Sequence, residues 1–317
     1  MNIEITDLRL FVNIAECGNL TKGAEKTFLS PPSASARIKT LELETSQQLL
    51  NRGNKGVTLT TSGELFLKQA RLVLRQFDFL TVEMSNSEAG HIRLFANTTA
   101  VTEFLPELLA RFLSERPSLT MDLQERLTND IVRSVVDGTA DLGIVSGDIG
   151  NEDLECIRFS TDRLMLATPS NHPLNDNESV QLSETLEFEH IGLHEGSTLL
   201  DFLRRQFRRK GYDRSLRIQV RSFEAMCRLV EAGVGIGVVP ESAARRHVQT
   251  MDIKLLALDD DWAIRDRFVL TRDRLALPRA ADALIELLVL EGAGGGPTVH
   301  SRNSGVEIEI GAQTVIP

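Results

Sequence analysis

The spacing of apolar residues predicts two short helices at the start of the chain. The first has apolar residues three and four positions apart and ends near Gly18. Its apolar stripe consists of Leu8, Phe11, Val12 and Ala15. Asn19 is a good N-cap for a second helix, in which Leu20, Ala24 and Phe28 share one face. The pattern therefore predicts two consecutive amphipathic helices.

A third helix is predicted after Ser30, because Ser30 is a good N-cap and Pro31 suits the first helical position. Its buried stripe consists of Ala34, Ile38 and Leu41. A turn of about 100° per residue then determines the outer face and its flanks. The outer face holds Pro32, Ser35, Ala36 and Lys39, and the flanks hold Ser33 and Arg37. Small side chains beside a basic one allow a helix to lie close in the major groove of DNA.

The segment 51–60, NRGNKGVTLT, predicts a tight β-hairpin, which we call the wing. Gly53, Asn54 and Gly56 are turn residues, and the four residues that follow favour a strand. Arg52 and Lys55 would lie on this hairpin. At the tip of a wing they can reach the sugar-phosphate backbone, a contact that positions a protein without reading sequence. Three helices and a wing predict a winged helix-turn-helix.

A long helix is predicted next, opened by a capping box from Thr61 to Glu64. Apolar residues recur in it at alternating spacings of four and three, which forms a short heptad seam. The seam consists of Phe66, Ala70, Val73, Phe77, Leu80 and Met84. Charged residues surround this seam, so pairing with a second copy explains it better than a lone exposed helix. Two recognition helices related by two-fold symmetry would read an inverted-repeat operator, which predicts a homodimer or homotetramer.

From His91 onward, apolar strands alternate with capped helices, which predicts an α/β domain of two lobes with a parallel sheet wound by helices. Ligands of such sheets bind at the carboxyl ends of the strands, often with an anionic group against helix N-termini. The candidate effector-binding residues at these ends are Thr98, Thr99, Thr128, Ser146, Gly147, Ser222 and Phe223. Thr128 and Ser222 can equally be helix N-caps without a ligand.

Composition narrows the function classes. The chain has 317 residues, 42% of them hydrophobic, and a net charge of -10, which by itself argues against nucleic acid. Between Lys22 and Lys55, however, six basic residues face three acidic ones. This segment is therefore a candidate DNA-binding surface on an acidic protein. No apolar run is long enough for a membrane span, and the N-terminus lacks the pattern of a signal peptide, so we expect a cytoplasmic protein.

Enzymatic, metal and redox chemistry were weighed as alternatives. The run from Gly233 to Gly237 resembles a dinucleotide loop, but it ends a helix and opens a strand, the reverse of that motif. His190 and His194 would be roughly 13 Å apart in a strand, too far for one metal. The three cysteines are too few for a disulfide framework, and burial explains Cys227 better than redox sensing. We expect no catalytic residue, no cofactor and no metal.

The sequence resembles those of the LysR-type transcriptional regulators. The resemblance lies in DLRLFVNIAECGNLTKGAEKTFLSPPSASARIKTLE and LLNRGNKGVTLTTSGELF, and it continues in general layout to about residue 290. It implies that Pro32, Ser35 and Ala36 face DNA, that Arg52 lies on the wing, and that a periplasmic-binding-protein-like domain holds the effector between its lobes. Two departures stand out, Pro31 where the family usually has Gln, and Ala36 where it often has Arg or Lys. Both remove polar groups, so base reading is expected to be weaker or to shift to Ser33, Arg37 and Lys39.

The predicted organisation has four parts. Residues 1–62 form the winged helix-turn-helix, which we call the head, and residues 63–89 form the dimerisation linker helix. Residues 90–291 form the effector-binding domain, with lobe I at about 90–162 and 267–291 and lobe II at about 163–266. Residues 292–317 form a flexible tail. The function predicted is DNA-binding regulation by a small, anionic effector; a solute-binding protein or α/β enzyme without a DNA role is the alternative.

Overall fold

The computed structural model describes residues 3–53, 56–84, 90–147, 153–211 and 216–292. Lys55 on the wing and the predicted tail beyond Gly292 lie outside these residues. The described elements form a helical head, one long helix and an α/β domain built on a ten-stranded sheet. No helix in these ranges is both long and apolar enough to cross a membrane.

The head contains three helices and a two-stranded antiparallel hairpin. Its elements are α1 (Ile5–Cys17), α2 (Leu20–Lys26), α3 (Pro31–Thr45), β1 (Leu50–Gly53) and β2 (Gly56–Leu59). The predicted caps are confirmed: Asn19 accepts a hydrogen bond from the Lys22 amide, and Ser30 accepts one from the Ser33 amide. The predicted stripe of α3 is also confirmed, because Ala34, Ile38 and Leu41 are buried in the core of the head.

Two local predictions in the head were wrong. Phe28 does not share the buried face of α2, because that helix ends at Lys26 and Phe28 has a φ of +59° and a 96% exposed side chain. The cap of the long helix α4 (Thr61–Met84) is Thr60 rather than Thr61. The Thr60 hydroxyl accepts from the Gly63 amide at 2.9 Å and donates to the Gln48 carbonyl at 2.7 Å.

The predicted heptad seam of α4 divides into two parts. Its first turns pack inside the chain, where Phe66 meets the Phe11 ring edge-on at 5.0 Å between centroids and Ala70 is buried. Its last turns are exposed to different degrees; this exposed stripe consists of Val73, Phe77, Leu80 and Met84. Within one protomer the stripe covers no core, which agrees with its predicted use between copies of the chain.

Lobe I begins with a parallel unit of strands and helices. Its elements are β3 (Gly90–Ala96), a π-helical turn (Ala100–Phe104), α5 (Leu105–Ser114), β4 (Leu119–Glu125), α6 (Thr128–Val136) and β5 (Leu142–Ser146). β3 pairs in parallel with both β4 and β5, and the C-terminal helix α10 (Arg279–Gly292) packs on the same core. Helices on a parallel unit explain why the buried strands have nearly continuous apolar runs.

Lobe II repeats the scheme. Its strands and helices are β7 (Ser179–Val180), β8 (His190–Leu193), α7 (Thr198–Arg209), β9 (Ile218–Val220), α8 (Phe223–Glu231), β10 (Ile236–Pro240), α9 (Glu241–His247) and β11 (Ile253–Leu258). Three short 3₁₀ turns (Pro173–Asp176, Leu182–Thr185 and Asp261–Ala263) also lie in it. β8 pairs in parallel with β9 and β10, and the helices bury a core of their own.

Two strands connect the lobes. The 15-residue β6 (Glu155–Pro169) pairs with β12 (Ile264–Thr271) up to Arg163 and with β10 from Leu164 onward. A fourth 3₁₀ element, Arg274–Ala276, follows β12 and leads to α10. The sheet order is β4-β3-β5-β12-β6-β10-β8-β9, with β11 beside β6 and β7 beside β11. Both lobes therefore share β6 as a common strand.

The long helix α4 is fixed to lobe I by a buried ion-pair cluster. Arg75 donates through Nε to Asp141 Oδ1 at 2.6 Å and through Nη2 to the His91 carbonyl at 2.6 Å, with a second contact from Nη2 to Asp141 Oδ2. Arg93 adds its backbone amide, at 2.7 Å from Asp141 Oδ2, and its guanidinium. The Asp141 side chain is 2% exposed, so these contacts form a dry connection between helix and lobe.

Candidate functional site

Two surfaces carry the predicted site residues, the outer face of α3 and a cavity between the lobes. On α3, Pro32, Ser33, Ala36 and Lys39 are exposed, and Ser35 is half-buried. The N-cap hydroxyl of Ser30 lies 2.8 Å from the Ser33 hydroxyl. The first two turns of this helix thus present small or apolar side chains at the surface.

Arg37 does not project freely from α3. Its Nη1 lies 2.6 Å from Asp7 Oδ1 and 3.0 Å from Glu4 Oε2, so the guanidinium is tied to the start of α1. Hydrogen bonds to Asp7 and Glu4 raise the pKa of Arg37. The placement differs from that expected of a residue reading DNA, because its donors are already used inside the head.

Arg52 connects the wing to α3. Its Nη1 donates to the Ser35 hydroxyl at 3.0 Å, and the arginine itself is exposed. Arg52, Lys39, Lys22 and Lys26 form no salt bridge within the described residues, which leaves four cations for solvent or a ligand. Arg52 and Lys39 thus place positive charge at the exposed face of α3, and Lys22 and Lys26 add exposed charge on α2.

An open cavity lies between the two lobes, and we call it the interlobe cavity. Lobe I and β6 contribute Asn97, Thr98, Thr99, Ser146 and Asp162; lobe II and the start of β12 contribute Leu164, Leu193, Ser197, Thr198, Leu199, Pro240 and Arg265. Three residues singled out in the sequence, Thr98, Thr99 and Ser146, are therefore in its wall. Their hydroxyls come from the ends of β3 and β5, as the strand-end rule predicts.

The other four predicted residues lie in different places. Thr128 is next to the wall, since its amide and hydroxyl lie 3.4 and 3.3 Å from the Thr198 hydroxyl. Gly147 has a φ of +85°, and a Cβ there would lie 2.8 Å from Arg265 Nη2, so a side chain would displace that guanidinium. Ser222 caps α8, and Phe223 is buried in the lobe II core. The structure does not bring Ser222 and Phe223 to the cavity.

Arg265 is the cationic group of the interlobe cavity. Its Nη2 donates to the Ser146 carbonyl at 2.7 Å, and its guanidinium lies 4.4 Å from the centre of the Phe202 ring. It forms no salt bridge with any described residue. Burial, with the nearby charge of Arg205, lowers the pKa of Arg265 to about 10, and Asp162 opposes the shift only in part. The cavity therefore contains a partly desolvated positive charge without a paired carboxylate.

Asp162 also lies in the cavity wall, and its negative charge is neutralised by Arg267. Arg267 Nη2 contacts Asp162 Oδ2, and the Ser242 hydroxyl donates to the same oxygen at 2.9 Å. The side chains of Asp162 and Arg267 are 12% and 9% exposed. Because this carboxylate is already paired, it does little to cancel the charge of Arg265.

Helix α7 starts at the cavity. Thr198 is its first residue, and the preceding Ser197 is buried and lines the same wall. The first backbone amides of a helix lack intrahelical acceptors and carry the positive end of the helix dipole. With Arg265, this helix N-terminus makes the cavity suited to an anion.

The sequence did not single out several of these residues. Ser197 and Thr198 had a usable signal, because they open a helix that follows directly on a strand. Asp162 and Arg265 had none, since they lie within or at the start of strands and meet through the pairing of β6 with β12. Asn97, which holds the Ser146 hydroxyl at 3.1 Å, was also missed.

Other candidate chemistry finds no support among the described residues. No group of three or more His, Cys, Asp or Glu side chains there could hold a metal ion. His190 Nε2 lies 3.0 Å from the Thr185 carbonyl, a structural contact. Burial raises the pKa of the Cys227 thiol to about 11, so the reactive thiolate is disfavoured.

Two family models match the chain, and together they cover nearly all of the described structure. Residues 5–64 match the bacterial regulatory helix-turn-helix protein of the lysR family, and residues 85–292 match the LysR substrate binding domain. The second match alone spans more than half of the chain. The chain therefore belongs to the LysR family of transcriptional regulators, which confirms the predicted fold class: a helix-turn-helix head joined to an α/β substrate-binding domain.

Individual relatives agree over nearly the full length. A probable RuBisCO transcriptional regulator from Trieres chinensis is 27% identical over 289 residues, covering 88% of this chain and 94% of the relative. A full-length OxyR variant from Pseudomonas aeruginosa has a TM-score of 0.71 at 23% identity, covering 91% of this chain and 98% of that one. Full-length BenM has a TM-score of 0.57 at 27% identity, covering 94% and 100%.

Proposed function

We propose that this protein regulates transcription by binding an inverted-repeat operator as a homodimer or homotetramer, under the control of a small anionic effector in the interlobe cavity. The observation that carries the effector class is Arg265, a partly buried guanidinium in the cavity without a salt bridge in the described chain. A carboxylate ligand would supply the missing charge partner. The N-terminus of α7 and the hydroxyls of Thr98, Thr99 and Ser146 would orient it.

On the DNA side, α3 would enter the major groove and the wing would contact the backbone. Lys39 and Arg52 supply charge, Pro32, Ser33 and Ser35 lie at the helix surface, and Lys55 belongs to the wing by sequence. We leave Arg37 out of the DNA-reading set, because Asp7 and Glu4 hold it. The exposed stripe of α4 would pair two protomers so that their heads face successive half-sites.

Regulation requires that the effector bind one arrangement of the lobes better than the other. The position of the cavity supports this requirement, since its wall is drawn from both lobes and a change in their relative angle would change its contacts. Lobe I is joined to α4 through Arg75 and Asp141, so a shift of lobe I would be passed to the helix that carries the head. We also propose the four-part domain division that the sequence predicts.

We also propose that the protein is not an enzyme and acts in the cytoplasm. The relatives that match it over most of its length are named as transcriptional regulators. A transcriptional regulator of a bacterial family acts in the compartment that holds the chromosome, which supports the cytoplasm. The polar groups that line the cavity suit binding rather than a nucleophile activated by a base, which supports a protein that is not an enzyme.

The test measures binding of the full-length protein to its own promoter region and to a scrambled duplex across a salt series. The wild type is expected to prefer the promoter, with affinity falling as salt rises. A Ser35→Ala/Lys39→Ala variant is expected to lose most of that preference and to reduce the salt slope by about one. Lys254→Ala, which removes an exposed lysine from lobe II, is the matched control and is expected to bind as the wild type does. Equal binding of both duplexes by the wild type at every salt concentration would overturn the proposed function.

A further inference from the structure

A second cation without a salt bridge lies on the helix that begins at the interlobe cavity. Arg205 is exposed on α7, whose first turn lines the cavity, and it does not itself belong to the cavity wall. It forms no salt bridge with any residue that the structure describes. The charge of Arg205 is therefore available to solvent or to a ligand.

The geometry of α7 brings Arg205 toward Arg265. Phe202 and Arg205 are three residues apart, so they share one face of the helix. The guanidinium carbon of Arg265 lies 4.4 Å from the centre of the Phe202 ring. Arg205 is also close enough for its charge to contribute to the lowered pKa of Arg265. Two guanidiniums thus lie near each other, one in the cavity wall and one outside it.

The carboxylates around these two arginines do not pair with them. Asp162 is bound by other groups, and Glu195 is paired with Arg204 at 2.5 Å. Asp201, one turn before Arg205 on α7, forms no ion pair with it in the described part of the chain. Like charges without counter-charges repel each other, and an anion that meets both arginines would relieve that repulsion.

We infer that the effector carries two separate carboxylates, one bound by Arg265 in the cavity and the other by Arg205 at its edge, so that the site selects dicarboxylates over monocarboxylates. The inference rests on the proposed function and names the chemical class of its effector. A dicarboxylate has its charges at the two ends of a short carbon chain. This arrangement suits one cation in the wall and one outside it.

The apolar part of the wall favours a carbon chain between the two charges. Leu164, Leu193, Leu199 and Pro240 contribute this apolar surface. The methylene groups of a dicarboxylate can be buried against it, which is favourable in water. Inorganic phosphate has no apolar part to bury and only one compact charged group. The cavity therefore suits a dicarboxylate better than phosphate.

The experiment compares acids of equal carbon number that differ in one carboxylate, by calorimetry on the full-length protein. The pairs are butyrate with succinate, pentanoate with glutarate and hexanoate with adipate, at about pH 8, where both carboxyl groups are ionised. The wild type is expected to bind at least one dicarboxylate about threefold to fivefold more tightly than its monocarboxylate, the upper range for one exposed ion pair. Arg205→Gln is expected to remove this preference and to leave monocarboxylate binding nearly unchanged.

Arg209→Gln is the matched control, since Arg209 is exposed one turn further along α7 and forms no salt bridge among the described residues either. It removes the same charge and is expected to keep the dicarboxylate preference within about 1.5-fold of the wild type, as for a screened surface charge. An equal effect of the two variants would therefore contradict a specific role for Arg205.

Three results would overturn the inference and leave the proposed function standing. They are equal wild-type affinity within every pair of acids, a dicarboxylate preference that survives Arg205→Gln, and tighter binding of inorganic phosphate than of any of the three dicarboxylates. Binding of none of these anions by the wild type would overturn the inference together with the anionic effector of the proposed function.

Discussion

The arginines of the head and the arginine of the interlobe cavity lie in opposite electrostatic surroundings. Arg37 is exposed in part, yet Asp7 and Glu4 hold its guanidinium at 2.6 and 3.0 Å. Arg265 is more deeply placed, yet within the described chain its nitrogens meet the Ser146 carbonyl and no carboxylate. Arg37 is paired with carboxylates although solvent can reach its charge. Arg265 has no carboxylate partner, although its burial makes an unpaired charge more costly.

This difference separates a structural arginine from a binding arginine. An exposed ion pair contributes little to stability, so its main effect is to fix the direction of the side chain. A buried unpaired cation destabilises the free protein and is compensated when an anion binds. On the proposed function, the charge of Arg265 in the effector domain is available to a ligand, whereas the guanidinium of Arg37 in the head fixes α3 against α1.

The largest expected effect comes from removing the carboxylate that pairs with the buried Arg267. Asp162→Asn leaves Arg267 buried without its counter-charge and is expected to lower the free energy of unfolding by about 3–5 kcal/mol. Urea denaturation of the ligand-free protein measures it. Asp266→Asn, which breaks the more exposed pair with Arg158, is the control and is expected to cost less than about 1 kcal/mol. Equal losses for the two variants would show that burial does not distinguish these pairs.

A smaller effect is expected from removing the unpaired cation itself. Arg265→Gln is expected to reduce the affinity for a small carboxylate by about tenfold to a hundredfold, the range for a charge-assisted hydrogen bond, as measured by calorimetry. The carboxylate used is one that raises the Tm of the wild type in a screen of organic acids. The ligand-free variant is expected to have a Tm at or above that of the wild type, since an uncompensated buried charge is lost.

Arg163→Gln provides the comparison for that experiment. Arg163 is exposed on β6, next to Asp162 in sequence, and lies outside the cavity wall. Its loss removes the same net charge and is expected to leave carboxylate affinity within about a factor of two, as expected for a screened surface charge. Unchanged carboxylate binding by Arg265→Gln would remove Arg265 from the effector site.

The smallest effect is expected in the head. Arg37→Gln breaks a partly exposed pair and is expected to cost less than about 1 kcal/mol of stability and to leave the salt slope of operator binding unchanged. Filter binding across a salt series measures that slope. A slope reduced as far as in Lys39→Ala would mean that Arg37 leaves its carboxylates and contacts phosphate, and the contrast between the two regions would fail.

Structural features that depend on residues close together in the sequence were predicted best. Asn19 and Ser30 were recognised as caps because a cap acts over three residues. Phe28 was wrongly predicted to share the buried face of α2. The spacing of apolar residues does not reveal that the chain leaves the helix before Phe28, which has a positive φ. Thr61 was preferred to Thr60 because both are threonines one position apart, and only the hydrogen bond to Gly63 distinguishes them.

The cavity was harder to predict, since strand ends supply more candidates than one cavity can use. Thr98, Thr99 and Ser146 line it, whereas Ser222 caps a helix elsewhere in lobe II. Arg265 lies opposite Asp162 in the antiparallel pairing of β6 with β12, across more than a hundred residues of sequence. No local pattern encodes that register, so this part of the site required the three-dimensional structure.

The sharing of β6 between the lobes limits how the two lobes can evolve apart. The first residues of β6 pair with β12 in one ladder, and its last residues pair with β10 and β11 in another. Cutting or exchanging this strand would therefore open both ladders. Among the described strands the head shares none with the lobes, and it is joined to them through α4. Recombination can therefore exchange heads among relatives with few broken contacts, whereas the lobes are inherited as a pair, and a new effector specificity has to arise by substitution within the wall they share.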